Sequence, residues 1–275
     1  MRKLLSAGFL RLRKNSLFLV GLFAMFGLGL FFSLGKYSDM VRFGAKQYLD
    51  DVLFLHTIFA GCCSAIFCSL FTGLEFSDGT IRNKLIVGHS RINVYFSNLI
   101  ICILAAFCMT VSFLLSYCLF GIPLLLPPKM PVNAICFYMF ISLFTITAYV
   151  SFFHMISILT GKKAVSAVVC LLVFMGLFLA AASIYSRIKA PEYITDYFMT
   201  ASGMQESEPY PNPKFLTGMA KRVYLILFDF LPSGQSIQLA CEEVMHPALI
   251  ALYSVLTTIL TTIMGIFCFR KKDLK

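Results

Sequence analysis

Six stretches of this chain contain no Asp, Glu, Lys or Arg: 15–35, 52–74, 92–128, 130–161, 164–186 and 244–269. Each reaches the roughly 20 residues that an α-helix needs to cross a bilayer core. Runs this long have no charged face to offer water, so a water-soluble globular domain is excluded. The composition agrees: 13% of residues are charged and 59% hydrophobic, against roughly 25% charged in a soluble domain. The expected fold is all-α: a polytopic membrane protein with one transmembrane domain over 1–275. Its six spans are expected at 16–35, 52–71, 94–120, 132–160, 164–185 and 248–269. Only 72–93 and 186–247 remain as sizeable connections.

The basic residues give the orientation. With the N-terminus inside, 14 Lys and Arg flank the inner span ends and 4 (Lys36, Arg42, Lys46 and Lys129) lie in the short outer loops. Positive charge is retained on the cytoplasmic side, so both termini are expected there. The net charge of +10 is then a topology signal. Nucleic-acid binding is excluded, because the cations sit at span ends rather than on one soluble face.

A basic N-terminus before an apolar run resembles a secretory signal, but no convincing small-x-small cleavage site follows, so 16–35 reads as an uncleaved span. Ahead of it, Leu5, Gly8, Phe9 and Leu12 share a helical face opposite Lys3, Arg11 and Lys14. That pattern predicts an interfacial helix with its cations at anionic headgroups. There is no Trp, so interfacial anchoring falls to Tyr, with Tyr37, Tyr48, Tyr95, Tyr185, Tyr193 and Tyr253 as candidates. The ten cysteines lie mostly within spans and predict no disulfide framework or zinc site. Cys118 and Cys136 form the one conceivable bridge.

Much chemistry is absent. Gly161-Lys162 is followed by Lys163 and lacks the upstream glycine of a P-loop, and neither HExxH nor GxSxG occurs. The chain is therefore expected to be no enzyme, with no cofactor or metal of its own. No carboxylate or basic residue lies deep in a span, which argues against ion-coupled transport through a buried pair. His56 and His154 are expected as neutral imidazoles bonded to neighbouring helices. In the last span Ser254, Thr257, Thr258, Thr261, Thr262 and Gly265 form a hydroxylated stripe, and Gly61, Ala65 and Ser69 a small-residue face in the second. Both suit close helix packing; the first would equally line a translocation path.

The segment Glu75–Arg91 carries the functional signal. A short helix over 77–87 is expected, with Ser77 or Asp78 as N-cap and Gly88 as stop. Ile81 and Leu85 make its apolar face, and Arg82, Asn83 and Lys84 are expected to face a partner. Glu75, then Gly79-Thr80-Ile81-Arg82-Asn83-Lys84-Leu85, then Ser90-Arg91 resembles the coupling-helix region of bacterial ATP-binding-cassette exporter permeases of the type-2 group. The likeness in span number and order extends over the whole chain.

The resemblance implies an ATPase-coupling set of Glu75, Asp78, Gly79, Thr80, Arg82, Asn83, Lys84 and Arg91. It implies two ATPase subunits beneath the membrane, holding ATP and magnesium, and a second permease, identical or related. It further implies permease contacts through the first, second and fifth spans, in the bacterial plasma membrane. Export of a peptide antibiotic or lipid-like amphiphile is the family-level expectation. The apolar run 223–231 before Pro232 is too short to span and reads as a re-entrant or interfacial helix; 186–222 reads as an external cap or loop. The competing readings are an ATP-independent secondary transporter or channel, which lacks deep carboxylates, and a lipid enzyme, which lacks an acid–base or metal cluster.

Overall fold

The computed structural model describes residues 1–200 and 203–273. Among these, six helices are long and apolar enough to cross a membrane. They are α2 (Ser16–Phe43), α3 (His56–Ser77, entered through a 3-10 turn, Leu49–Leu55), α5 (Arg91–Leu124), α6 (Val132–Thr160), α7 (Lys163–Ile188) and α10 (Pro247–Lys271). The others are α1 (Arg2–Arg13), α4 (Thr80–Ile86), α8 (Gly218–Phe230) and α9 (Pro232–Ala240). Five of the six spans run past their expected C-terminal ends, while α6 keeps the expected 132–160, because helix stops, not charges, end them. α2 continues beyond Lys36 to Gly44, and α6 ends at Gly161, both glycines in the left-handed region.

The span α3 is the centre of the bundle, with 67% of it buried against 17% of α7. The face Gly61, Ala65, Ser69 is turned into the chain's own bundle: a Cβ on Gly61 would come within 3.0 Å of the Tyr149 and Phe174 rings of α6 and α7. Small residues there let three helices of one chain approach, as membrane packing requires. α2 lies along α5, where Gly29 meets the Phe113 carbonyl, and α10 lies along α6. Tyr95, expected at the interface, is instead fully buried against Gly265 of α10 and the His154 ring. Its bulk fills the space a side chain at 265 would need. All ten cysteines are free thiols, Cys118 and Cys136 included.

The segment expected as a cap or loop forms nested antiparallel ribbons. β1 (Tyr193–Ile194) pairs β4 (Tyr210–Pro211) around β2 (Tyr197–Thr200) and β3 (Gly203–Glu206). α8 and α9 then form a broken hairpin at the end of the bundle away from α4. α9 is buried along Pro232–Leu239 although four of its side chains are polar. Side chains and backbone of α9 find partners on three spans and on α8. Ser233 and Ser236 meet the Tyr149 hydroxyl (both 3.2 Å), Thr57 donates to the Ser236 carbonyl, and Ser254 donates to Gln235 Oε1 (2.7 Å). Gln238 Nε2 donates to Asp229 Oδ1 at 2.8 Å. Satisfying each polar atom internally is the condition for burying such a helix.

Candidate functional site: the Glu75 junction

At the basic end of the bundle α3 stops at Ser77 and the chain turns into α4. Asp78 is the C-cap of α3, its N–H donating to Leu74 O. Neither Ser77 nor Asp78 caps α4, whose N-cap is Gly79 at φ +65° with open space around it. The two helices follow so closely that only a left-handed residue reverses the chain, and glycine takes that conformation without steric cost. The expected helix over 77–87 is therefore shorter, Thr80–Ile86, because α3 takes its first turn. Thr80 Oγ1 donates to the Glu75 carbonyl (3.1 Å), tying α4 to the last turn of α3.

Glu75 is 2% exposed. Arg11 of α1 and Lys84 of α4 both pair with its Oε1, and Asn98 Nδ2 of α5 donates to its Oε2. One carboxylate thus joins four helices. Burying a charge is costly unless it is paired and fully hydrogen-bonded, and here both oxygens are used. The cluster fixes where α4 sits more than it adds net stability, since removing ions from water offsets much of the attraction.

Arg11 was expected to face lipid headgroups. It turns inward instead, stacked 4.0 Å over the Phe71 ring and bonded to the Phe71 carbonyl. The buried positions of α1 are Leu4 and Leu12 rather than Phe9, which is exposed. Lys84, expected to be free, is held by Glu75. Arg91 is also occupied: it donates to the carbonyls of Phe269 (2.7 Å), Arg270 (3.1 Å) and Lys272 (2.6 Å). It closes the C-terminal end of α10, where unpaired carbonyls collect negative potential. Lys272 does the same for α6, donating to Ile158 O and Leu159 O at 2.7 and 2.8 Å. Burial holds its ammonium below the usual lysine range.

Outside the cluster, α4 buries Ile81 and packs Leu85 against the bundle. Arg82 and Asn83 are exposed, and Ile86 and Val87 project as bare apolar side chains, 72% and 77% exposed. α4 thus presents a mixed cationic and apolar tip on a rigidly seated base.

The α10 stripe divides. Ser254, Thr257 and Thr261 face inward, with Thr261 donating to Ser151 Oγ of α6 at 2.9 Å. Thr258 bonds back to Ser254 O, and Thr262 is half-buried. His56 and His154 are buried; His56 Nδ1 donates to Leu53 O at 2.8 Å, and His154 Nδ1 lies 3.3 Å from Thr72 Oγ1.

Arg11 and Asn98 escaped the sequence reading. Asn98 had a signal: a primary amide in an otherwise apolar run needs a partner, and the nearest acids in sequence are Asp78 and Glu75. Arg11 had none, because helical periodicity does not reveal which flank of α1 meets α3.

No curated protein matches the chain by sequence. A family model described as ABC-2 family transporter protein matches residues 4–180, from α1 through α4 and well into α7. The chain belongs to the ABC-2 family of membrane transporter proteins, and is a permease component of that kind.

Proposed function

We propose that this chain is the membrane subunit of an ATP-driven exporter, driven by a separate ATPase that docks on α4. The observation that supports it most is the Glu75 junction. α4 is anchored to α1, α3 and α5 while Arg82, Ile86 and Val87 remain uncovered. A force on that tip passes into three helices at once. Two ATPase subunits, holding ATP and magnesium, serve this permease and a second, identical or related one. The excess of Lys and Arg at the α4 end supports a cytoplasmic side there, with both termini inside, and the plasma membrane of a bacterium is the membrane this reading expects.

The substrate class fits an amphiphile, a peptide antibiotic or lipid-like molecule. A cavity of about 180 Å³ opens between α6, α7, α8 and α10, lined by Phe152, Leu177, Phe230, Leu260, Thr257 and others. Its single buried hydroxyl without a partner is Thr257 Oγ1.

Arg82→Glu tests the reading. Reversing an exposed charge leaves the fold within about 0.5 kcal/mol. At a docked interface the same change weakens assembly with the ATPase at least tenfold and lowers ATP hydrolysis by the purified complex. Normal hydrolysis and assembly in both Arg82→Glu and Ile86→Asp would remove the coupling role of α4. Substrate flux through the chain alone in proteoliposomes would favour a secondary transporter or channel.

A further inference from the structure

At the end of the bundle opposite Glu75, three carboxylates from two distant segments converge. Asp50 and Asp51 lie in the 3-10 turn that leads into α3, and Glu242 lies just after α9. One carboxylate oxygen from each lies within 4.8 Å of the other two. Acidic clusters on surfaces are common and mean little alone. This one is different in its burial and its bonding.

Asp50 is 1% exposed. Its Oδ2 accepts the Met130 N–H at 2.8 Å, while its Oδ1 is sealed from water with no donor. Glu242 Oε1 is likewise sealed and unpartnered. Asp51 is engaged by the Tyr48 N–H and by Lys129 Nζ, both through one oxygen each, at 2.8 and 2.7 Å. Lys129 is the one ammonium bonded to the cluster, and it reaches only Asp51; Lys36 adds a longer-range attraction, again at Asp51. A buried carboxylate oxygen facing other carboxylates without a donor costs far more than a hydrogen bond returns. Glu242 also holds φ +57°, a conformation in which glycine or asparagine is usual.

We infer that Asp50, Asp51 and Glu242 bind a hard divalent cation of the calcium class, which clamps the C-terminal end of α9 to the turn that starts α3. All the ligand atoms are oxygens, which suit calcium or magnesium and not a soft metal. Calcium takes six to eight oxygens in flexible geometry at 2.3–2.6 Å and accepts mono- or bidentate carboxylates, with water completing the shell. Magnesium demands a near-ideal octahedron, which side chains on two separate segments supply less readily. The site uses residues outside the Glu75 junction, so it holds whether or not α4 docks an ATPase. An extracellular source for the cation follows only from the orientation proposed above.

The test uses the purified full-length chain in nanodiscs with radioactive calcium in equilibrium dialysis, and with calcium chloride against chelator in thermal unfolding. One ion per chain is expected, with a dissociation constant on the order of 10⁻⁴–10⁻³ M, as in extracellular modules, and a melting point several degrees higher in calcium. Glu242→Gln and Asp50→Asn should each weaken binding at least tenfold. Glu242→Gln should melt no lower than the natural chain in chelator, since it removes a partly buried charge that faces two other carboxylates. Lys129→Ala should bind calcium severalfold more tightly, because the competing ammonium is gone. The inference is overturned if no ion binds at 10 mM calcium, or if binding survives Glu242→Gln unchanged. It is equally overturned if unfolding is calcium-independent, which would mean a proton shared between Glu242 and Asp50 fills the role. None of these readouts involves ATP, so their failure leaves the permease reading untouched.

Discussion

The two ends of α3 face the same physical problem and meet it differently. At one end Glu75 is buried and both its oxygens are bonded, by Arg11, Lys84 and Asn98. At the other, Asp50 is equally buried, yet one of its oxygens and one of Glu242 have no donor. The first carboxylate is neutralised by the chain itself, so its arrangement is complete on folding. The second is complete only with something added. Protein-supplied cations make a permanent joint, whereas an exchangeable ligand makes a joint that the surroundings can open.

The largest expected effect is therefore at the complete end. Glu75→Ala leaves Arg11 and Lys84 partly buried with no anion, which costs about 3–5 kcal/mol for a broken buried pair. Denaturant or thermal unfolding of the purified chain measures it. A loss under 1 kcal/mol would mean that water reaches the junction and that the contrast between the two ends is false. Asn98→Leu removes one donor and leaves Glu75 Oε2 unsatisfied, a smaller loss of about 1–3 kcal/mol. The same unfolding assay should rank it below Glu75→Ala.

Gly79→Val comes next. A β-branched residue in the left-handed region costs about 1–2 kcal/mol, and the surrounding space is open, so the loss should not exceed strain alone. A much larger loss would show that side-chain room, not backbone conformation, sets this position. The smallest effect lies at the acidic end. Burial, then the nearby Asp50 and Asp51, hold the Glu242 carboxyl above its usual range, while Lys129 opposes this. Lys129 itself is held above the usual lysine range by its bond to Asp51. A raised carboxyl binds a proton more tightly folded than unfolded. Its contribution is thus present at low pH and lost as pH rises through the folded value. In chelator the melting point should fall modestly as pH rises from about 4.5, the unfolded range. Glu242→Gln should flatten that slope, and calcium should oppose it.

Sequence alone was enough to find the six spans and the short helix between α3 and α5, because charge-free length and a Gly-Thr-basic segment are local signals. It was not enough for the partners. Arg11 and Glu75 meet across 64 positions, and a helical wheel for α1 places Arg11 with the other cations. Lys84 and Arg91 resembled free docking groups because an unpaired and an occupied cation look alike in sequence. The hairpin of α8 and α9 was visible as an apolar run too short to span. The burial of Gln235 and Gln238 was not, since polar residues after a proline ordinarily mark a surface turn. Likewise Asp50 and Glu242 are separated by most of the chain, and only the fold brings them together.

The polar bonding of α9 has a consequence for how the protein is made. Gln235 depends on Ser254, which lies downstream in α10. During synthesis the ribosome delivers α9 before the helix that satisfies it. Until α10 inserts, the Gln235 amide keeps only the bond from its nitrogen to the Asp229 carbonyl. Tyr149 and Thr57 of the earlier spans α6 and α3 can already bond α9, and α10 supplies the last donor, so a chain halted near residue 247 would leave Gln235 Oε1 without its partner.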